Sequence, residues 1–555
     1  MYSASQLMAL GVSLAICATA VLYADFFAAL FPSREVSLSV VEQQQMLASL
    51  VFHASKSGDA AANGADGETR DPPRLAFCCS ADLDVAVPAV ELMQSVQEVE
   101  RQHHQKKKTQ GKISKDLTKR HHERIGSLKE LQESFAYYFS SGAAAEQSML
   151  SPEQFREIVA LADALPQVKR KVGGNAATMA ERASAEGCVV LLGAAMGKDM
   201  KPYFVDQRIQ LVGHLDEHEH EDVHLVLEYS SGDEFRGHIS PRANRYYLNH
   251  DVHNAQLSVL EEFEKSLDSF KPDLVVFGGL QLMEVQTDEN VRLTRLKALS
   301  EVLQNLFVAR TPTHYEFAAV SDFSLFDDTV RLVLPWVDSI GLNEQELFIL
   351  HHYLVTGEEG TATSSRPTVA DISAQLHDVI QFASKAKKNF QTKNEDKDES
   401  LALAQLSRIH FHTLQFHIVC QKEGSMWEDP KTALVQSALM SSKVACGKPP
   451  APSATDNDDK PKPMRTSADM EVDPERIEIL LARQQLLSKR QDLKVELDPF
   501  SPIVTWQEAD FQCHLVPMLA CKKPDHTAGL GDNISGTGVA YHRIQKKSDA
   551  TNQAK

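Results

Sequence analysis

The chain has 555 residues, enough for one large or two ordinary domains with a hydrophobic core. Its formal net charge of −19 disfavours nonspecific nucleic-acid binding, and its hydrophobic fraction of 43% is ordinary for a globular protein. A basic run at residues 106–122 has acidic neighbours and no interleaved aromatic residues. We therefore expect a solvated surface insertion over residues 100–124 and no nucleic-acid partner.

An apolar stretch occupies the N-terminus. Residues 7–23 carry no charge, and Asp25 interrupts the run before residues 26–31 continue it. This length is near the lower limit for a membrane-spanning helix and exceeds a typical signal-peptide core, and the positively charged leader of a signal peptide is missing. We expect a signal anchor over residues 1–32, and so contact with a membrane. A cleaved signal and a buried helix are the alternatives.

A linker is predicted over residues 33–73, because residues 55–73 are rich in Gly, Ala, Asp and Ser. Apolar, strand-like runs and segments of helical periodicity then alternate along the chain. The strand-like runs are 74–79, 189–192, 224–229, 274–277, 315–318 and 409–412, and the helical segments are 128–139, 152–165, 256–267, 291–307 and 476–494. This alternation predicts an α/β fold with a largely parallel, doubly wound sheet.

Two further stretches, 384–400 and 448–475, contain few large apolar residues and are predicted to be surface loops. The chain has eight cysteines, without a C-x-x-C pair or a Cys/His metal spacing. If the body of the chain is luminal, one or two disulfides are allowed. The spacing of the cysteines does not identify the pairs.

The motif that points most directly to chemistry is Gly529-Leu530-Gly531-Asp532, which a run of small residues follows. Such a turn brings backbone N–H groups close to an anion. Asp532 would then lie where a hydroxyl can attack a bound phosphate, and it can accept the hydroxyl proton. The alternative is that Asp532 is only a helix N-cap.

Other polar groups follow apolar strands, at the sheet edge where open α/β sheets bind ligands. Glu316 and Glu346 are hard oxygen groups suited to Mg²⁺, directly or through its waters, although either can also be a surface residue or part of a helix cap. Gly174 would let a ligand approach the backbone, and Asn175 can hydrogen-bond sugar hydroxyls. A plain turn with an N-cap is the alternative for this pair.

Taken together and in order, these motifs resemble one family. They are 142–146 (GAAAE), 172–177 (VGGNAA), 227–229 (LEY), 243–245 (ANR), 341–347 (GLNEQEL), 408–414 (RIHFHTL) and 529–532 (GLGD). The chain resembles the eukaryotic ADP-dependent glucokinases, members of the ADP-dependent sugar kinase family with a ribokinase-like fold. The resemblance implies a kinase domain over residues 74–545 and a tail at 546–555. It also implies a large doubly wound α/β domain with a smaller, discontinuous α/β lid, expected near residues 84–90 and 170–255.

The resemblance implies a role for each motif residue. Asp532 would be the catalytic base that takes the proton of the sugar 6-hydroxyl. Gly529, Leu530 and Gly531 would hold the transferring phosphate and the nucleotide. The implied Mg²⁺ site comprises Glu316, Glu346 and Asp532. The implied sugar site comprises Asp84, Glu146, Gly174 and Asn175, and the other implied nucleotide-binding residues are Arg245, Asn343 and His412.

The implied reaction converts ADP and D-glucose to AMP and glucose 6-phosphate. The carboxylate of Glu146 favours a neutral sugar over fructose 6-phosphate, whose phosphate needs cationic partners. Ser80 departs from the family pattern, which often has Asn there, and puts one sugar hydrogen bond in doubt. The resemblance also implies a monomer, located in the endoplasmic reticulum or in another membrane or lumen of the secretory pathway, and a Cys446–Cys521 disulfide. The alternatives are a kinase of another hexose or of fructose 6-phosphate, and a noncatalytic membrane-anchored sensor of sugar or nucleotide.

Overall fold

The computed structural model describes residues 71–106, 119–392, 401–446, 476–479, 498–522 and 529–544, and parts of 42–53, with short gaps at 123, 144, 217–218, 321, 361–366 and 499. The predicted anchor at 1–32, the predicted loop at 448–475 and the tail at 546–555 lie outside these residues. Within the described ranges, no helix is both long enough and apolar enough to cross a membrane.

A ten-stranded sheet forms the body of the molecule. From edge to edge its strands are β18 (Val504–Glu508), β19 (Phe511–Pro517), β15 (Phe416–Lys422), β14 (Arg408–His412), β13 (Ser339–Leu342), β12 (Thr313–Glu316), β11 (Leu274–Gly278), β1 (Arg74–Cys78), β5 (Val189–Met196) and β6 (Ile209–His214), numbered in chain order. The strands from β14 to β6 are parallel, and β15, β19 and β18 continue the sheet antiparallel. The predicted, largely parallel sheet is confirmed.

Helices cover both faces of this sheet. The main α-helices of residues 71–544 are α1 (Ala89–Lys106), α2 (Leu128–Ser141), α3 (Pro152–Asp163), α4 (Asn175–Ala185), α5 (Leu260–Phe270), α6 (Glu289–Ala309), α7 (Phe323–Leu332), α8 (Glu344–Thr356), α9 (Val369–Thr392), α10 (Pro430–Cys446) and α11 (Leu530–Tyr541). Alternate residues of β5 enter two different cores, because Leu191 joins the core of Phe263 on α5 while Val190 joins that of Ala177 on α4. The sheet is therefore doubly wound.

A five-stranded sheet forms a second, smaller unit, which we call the lid. Its strands in spatial order are β3 (Ala145–Ser148), β10 (Asn244–Asn249), β7 (Val223–Tyr229), β2 (Asp82–Pro88) and β4 (Lys169–Gly173). Along β2, Leu83 and Val85 enter a core with Phe135 of α2, while Asp82 and Asp84 point to the opposite face because side chains alternate along a strand. Since α1, α2 and α3 pack on the apolar face, the lid presents a polar face.

The extent of the lid differs from the prediction near residues 84–90 and 170–255. The lid comprises residues 82–173 and 223–249, while 175–214 contribute α4, β5 and β6 to the large unit. The reason is the apolar run of β5, which pairs with β1 in the middle of the large sheet. Three short strand pairs complete the fold: β8 (Glu234–Phe235) with β9 (His238–Ile239), β16 (Trp427–Glu428) with β21 (Arg543–Ile544), and β17 (Ile477–Ile479) with β20 (Leu519–Cys521).

Several predicted loops are ordered elements. Residues 100–106, predicted as part of a surface insertion, belong to α1, and residues 384–392, predicted as a loop, belong to α9. A helix is predicted over residues 476–494, but residues 477–479 form a strand. The predicted linker at 33–73 contains helical residues 45–51, whose Met46 and Leu50 are fully buried in the core of the large unit. Apolar side chains at a helical spacing of four residues explain this docking, which the composition of residues 55–73 does not reveal.

The predicted Cys446–Cys521 disulfide is present and links α10 to β20. Two more disulfides occur in the described residues. Cys420 and Cys513 are directly opposite on β15 and β19, and the neighbours Cys78 and Cys79 are joined at the end of β1. Among the described residues, Cys188 is a free, buried cysteine.

Candidate active site

The candidate catalytic residues meet at the carboxyl edge of the large sheet. Glu316 ends β12 and His412 ends β14, while Asn343 and Gln281 follow β13 and β11. Parallel strands bring these ends to the same edge, where open α/β sheets bind ligands. The N-terminal end of α11, which carries Asp532, reaches this edge as well.

Asp532 lies in the first turn of α11. Asn175, at the start of α4, donates a hydrogen bond of 2.7 Å from Nδ2 to Asp532 Oδ1. Burial and the charge of Glu316 raise the pKa of Asp532 to about 6, although the hydrogen bond from Asn175 opposes them. A carboxylate with this pKa can accept a proton near neutral pH, as general-base chemistry requires.

The Gly529–Gly531 turn precedes Asp532 and is held by a buried chain of hydrogen bonds. Gly529 adopts a left-handed conformation with φ of 66° and caps α11. Asn533 donates 2.8 Å from Nδ2 to the Gly529 carbonyl, and the buried Arg182 donates 2.8 Å to Asn533 Oδ1. The first N–H groups of a helix lack intrahelical acceptors and attract anions, so this turn is suited to a phosphate.

Glu316 is buried, and each of its two carboxylate oxygens accepts a hydrogen bond. Its Oε2 accepts 3.0 Å from His314 Nε2, its Oε1 accepts 2.7 Å from Ser535 Oγ, and His412 Nε2 lies 3.7 Å from Oε1. Burial acts to raise the pKa of Glu316, but the interactions with His314 and His412 outweigh it and lower the pKa to about 2. Glu316 is therefore a fixed negative charge next to Asp532.

Glu346 and Asn343 form a capping box at the start of α8. Asn343 donates its backbone N–H to Glu346 Oε2 at 2.8 Å and its Nδ2 to Oε1 at 2.9 Å. This arrangement corresponds to the helix cap that is the alternative interpretation of Glu346 in the sequence analysis. Burial raises the pKa of Glu346 to about 7. Both oxygens of Glu346 already accept hydrogen bonds, so its predicted metal role is better suited to a water-mediated contact.

The predicted sugar-side carboxylates lie on the polar face of the lid. Asp84 is buried on β2, and Lys171 Nζ lies 3.3 Å from its Oδ2. Glu146 on β3 is exposed and accepts 3.2 Å from Asn249 Nδ2. Desolvation by the surrounding protein raises the pKa of Glu146. Tyr247 of β10 is paired in register with Glu146, so their side chains lie on the same face of the sheet. Arg245 is two residues before Tyr247 on β10 and therefore lies on this face as well.

The structure adds polar residues that the sequence did not reveal. His224 donates from Nε2 to both oxygens of Asp251 at 3.0 and 3.1 Å, and its Nδ1 lies 3.5 Å from Asp82 Oδ1. Burial opposes the charge of His224, but Asp251 and Asp82 raise its pKa well above the usual value. Asp82, Asp84 and His224 each have a possible ligand atom within 4.8 Å of the others. The raised pKa of His224 favours its charged form, which donates hydrogen bonds and cannot ligate a metal. The alternation of Asp and apolar residues in β2 is the signal that could have identified Asp82.

Gly174 and Asn175 differ in detail from the prediction. Gly174 has φ of 85°, and a Cβ there would lie 2.8 Å from the Ser80 carbonyl group and from Ala81 Cα. The close approach is therefore to the protein's own backbone. Both polar atoms of the Asn175 amide form hydrogen bonds within the protein. Its Oδ1 accepts a hydrogen bond of 3.0 Å from Gln281, and its Nδ2 donates one to Asp532. Ser80, the departure from the family pattern, accepts 3.1 Å from the Ala176 N–H.

This fold and site define a class of protein. A doubly wound sheet, a lid with a polar face, an anion-binding turn and a carboxylate base together describe a ribokinase-like kinase that phosphorylates a hydroxyl group. Asp532 and the turn lie at the start of α11, and Ser535 of the same helix donates to Glu316.

Comparison with known proteins identifies the family. A family model described as the ADP-specific phosphofructokinase/glucokinase conserved region matches residues 73–541. The chain is 31% identical to the ADP-dependent glucokinase of Bos taurus over 478 residues, which cover 85% of this chain and 84% of the relative. It is 28% identical to a probable ADP-dependent glucokinase of Caenorhabditis elegans, covering 77% of this chain and 80% of the relative. The chain belongs to the ADP-specific phosphofructokinase/glucokinase family.

A solved structure shows the same fold at low sequence identity. An ADP-dependent kinase in complex with fructose-6-phosphate and ADPbetaS has a TM-score of 0.59 and 15% identity, covering 91% of this chain and 98% of that chain. The predicted ribokinase-like α/β fold is confirmed.

Proposed function

We propose that this protein is an ADP-dependent glucokinase, which transfers the β-phosphoryl group of ADP to the 6-hydroxyl of D-glucose. The observation that carries this proposal is Asp532, which has a pKa raised to about 6 and lies beside the Gly529–Gly531 turn. The two relatives named as glucokinases support the choice of ADP and glucose.

In the proposed reaction, Asp532 takes the proton of the sugar 6-hydroxyl. The sugar oxygen forms a bond to the β-phosphorus while the bond from that phosphorus to the bridging oxygen breaks, and AMP leaves. Backbone N–H groups at Gly529–Gly531 hold the transferring phosphoryl group and balance its negative charge.

The polar face of the lid favours a neutral sugar. Asp84 and Glu146 can accept hydrogen bonds from sugar hydroxyls. A sugar that already carries a phosphate needs cationic partners for that phosphate, which carboxylates at these two positions do not supply. This electrostatic argument favours glucose over fructose 6-phosphate, the sugar bound in the solved kinase of similar fold.

We propose Mg²⁺ as the cofactor, because the carboxyl edge offers hard oxygen ligands. Glu316 is ionised, since its pKa is lowered to about 2, and Asp532 lies close enough for the charge of Glu316 to raise its own pKa. Glu316 and Glu346 would hold the ion mainly through its waters, with Asp532 nearby. When bound, Mg²⁺ neutralises charge on the phosphates.

For the nucleotide, we propose contacts from Arg245, Asn343 and His412 in addition to the Gly529–Gly531 backbone. His412 is close to Glu316, whose charge raises the His412 pKa although burial opposes it. A cationic imidazole at this edge is suited to a phosphate oxygen. Alanine substitution of His412 should raise the KM for ADP more than that for glucose.

We further propose that the protein acts as a monomer and that residues 1–32 anchor it in the endoplasmic reticulum membrane. The apolar, uncharged run at residues 7–23 supports the anchor. Carbonate extraction of membranes tests it: an anchored protein stays in the pellet, and release into the supernatant argues against the anchor. Light scattering of the detergent-solubilised protein measures its oligomeric state.

A substrate panel tests the proposed activity. The purified protein is mixed with Mg²⁺, with either ADP or ATP, and with either glucose or fructose 6-phosphate. We expect AMP and glucose 6-phosphate from ADP and glucose, and little product from the other pairs. Strong phosphorylation of fructose 6-phosphate with little on glucose would overturn the glucose assignment. Binding of both ligands without turnover would support a noncatalytic sensor.

A further inference from the structure

Gln281 is connected to the candidate base through a single intermediate. Its Nε2 donates a hydrogen bond of 3.0 Å to Asn175 Oδ1, and Asn175 Nδ2 donates 2.7 Å to Asp532 Oδ1. All three side chains are partly accessible to solvent at the carboxyl edge of the large sheet. No sequence motif marks Gln281 for this position.

The first of these hydrogen bonds supports the orientation in which the nitrogen of the Asn175 amide faces Asp532. An asparagine amide has an acceptor oxygen on one side and a donor nitrogen on the other, and rotation by half a turn exchanges them. In the observed orientation Gln281 donates to the oxygen of Asn175, and the nitrogen of Asn175 donates to the carboxylate. The reverse orientation would place the Asn175 oxygen against the carboxylate, which would repel it, so the Gln281 hydrogen bond adds to the stability of the productive orientation.

Gln281 is itself held in place by the packing of its segment. It belongs to a short 3₁₀ helix, Leu280–Val285, that follows Gly279. Gly279 has φ of 85°, and a Cβ there would lie 2.2 Å from Ser80 Cβ, so the segment packs closely against Ser80. Ser80 in turn accepts a hydrogen bond from Ala176 at the start of α4, next to Asn175.

We propose that Gln281 is a positioning residue for the phosphoryl-transfer reaction, acting on Asp532 solely through the orientation of the Asn175 amide. This inference rests on the proposed function of Asp532 as the base. Glu316, His412 and Lys171 also act electrostatically on Asp532, but each does so directly and without Asn175. The effect of Gln281 on kcat should therefore depend on the presence of Asn175, which distinguishes it from these charged residues.

A double-mutant cycle tests this dependence. Gln281→Met keeps the length of the side chain and removes its donor. We expect kcat to fall on the order of tenfold, the worth of one hydrogen bond, while the KM values for glucose and ADP change less than about twofold. In an Asn175→Ala background, the same Gln281→Met change should have no further effect on kcat.

A matched control is Gln304→Met on α6, since Gln304 also donates from Nε2, at 3.3 Å to Ser300. This change should leave kcat unaltered. If Gln281→Met does not fold, Gln281→Leu replaces it, because it also removes the donor without adding a charge. A similar loss of kcat is expected, again abolished by Asn175→Ala.

Two outcomes would overturn the proposal. One is a loss of kcat that persists undiminished in the Asn175→Ala background, and the other is a rise in KM with kcat unchanged. The proposed function fails differently, because the wild-type protein would then form no glucose 6-phosphate from ADP and glucose.

Discussion

The hydroxyl of Ser535 donates a hydrogen bond of 2.7 Å to Oε1 of Glu316 and ties α11 to the end of β12. Ser535 follows Asp532 by three residues, so both are on neighbouring positions of the helix surface. The charge of Glu316 is thereby held at a fixed place relative to the base. This coupling explains why Glu316 is the leading electrostatic influence that raises the pKa of Asp532, after burial.

Replacement of the base should stop turnover without abolishing sugar binding. We expect Asp532→Asn to lower kcat by about 10²- to 10⁴-fold, because the sugar hydroxyl loses its proton acceptor. The dissociation constant for glucose, measured by calorimetry, should change only a few-fold. Asp268→Asn is the control, since the Asp268 side chain is 96% exposed. A mutant that retains most of its rate would show that Asp532 is not the base.

The pH dependence of kcat/KM should follow the ionisation of Asp532. The reaction needs ionised Asp532, whose pKa is raised to about 6. We therefore expect kcat/KM to be flat above this pH and to fall about tenfold per pH unit below it. Asn175→Ala removes a hydrogen bond that favours the charged form, so its acidic limb should move to higher pH. A profile that stays flat down to pH 4 would contradict the assignment.

Loss of the sugar-side carboxylate should weaken glucose binding. Glu146→Ala is expected to raise the KM for glucose by about tenfold or more, because hydrogen bonds to charged groups contribute about 1.5–3 kcal/mol. The KM for ADP should remain close to that of the wild type. Glu153→Ala, whose native side chain is 76% exposed, serves as the control. Equal changes in both KM values would argue for a general disturbance of the lid.

The sequence predicted the large sheet well because its strands are continuous apolar runs separated by periodic helices. It predicted the lid poorly, because the lid strands β3 (AEQS), β4 (KRKVG) and β10 (NRYYLN) contain polar residues and lack continuous apolar runs. Motifs identified Asp532 and Glu316, whereas Gln281 is a single residue whose importance depends on a contact with Asn175.

A pair of glycine substitutions should separate backbone strain from steric overlap. Gly174 and Gly232 have similar φ values of 85° and 90°, but a Cβ meets backbone atoms at 2.8 Å in Gly174 and nothing within 4 Å in Gly232. Both alanine variants should lose about 1–2 kcal/mol to backbone strain, and Gly174→Ala should lose more. Urea unfolding measures the difference. Equal losses would show that the Ser80 backbone can move aside.

The Cys446–Cys521 disulfide should contribute to stability. It closes a loop with a sequence separation of 75 residues, for which loss of chain entropy in the unfolded state gives up to about 4 kcal/mol. The Cys446→Ser/Cys521→Ser double variant should therefore unfold at lower temperature. A Cys420→Ser/Cys513→Ser variant distinguishes the effect of the other long-range disulfide. Peptide mapping that finds both Cys446 and Cys521 as free thiols would dismiss the bond.

The alternation along β2 has a consequence for how sugar preference can change over evolution. Asp82 and Asp84 share their strand with Leu83 and Val85, which hold the lid core together. A one-residue insertion or deletion inside this strand would exchange the two faces, placing the apolar residues on the polar face and the carboxylates in the apolar core of the lid. If β2 binds the sugar as proposed, substitution at every second position of this strand can change sugar preference without disturbing the lid core, whereas a change of length inside the strand cannot.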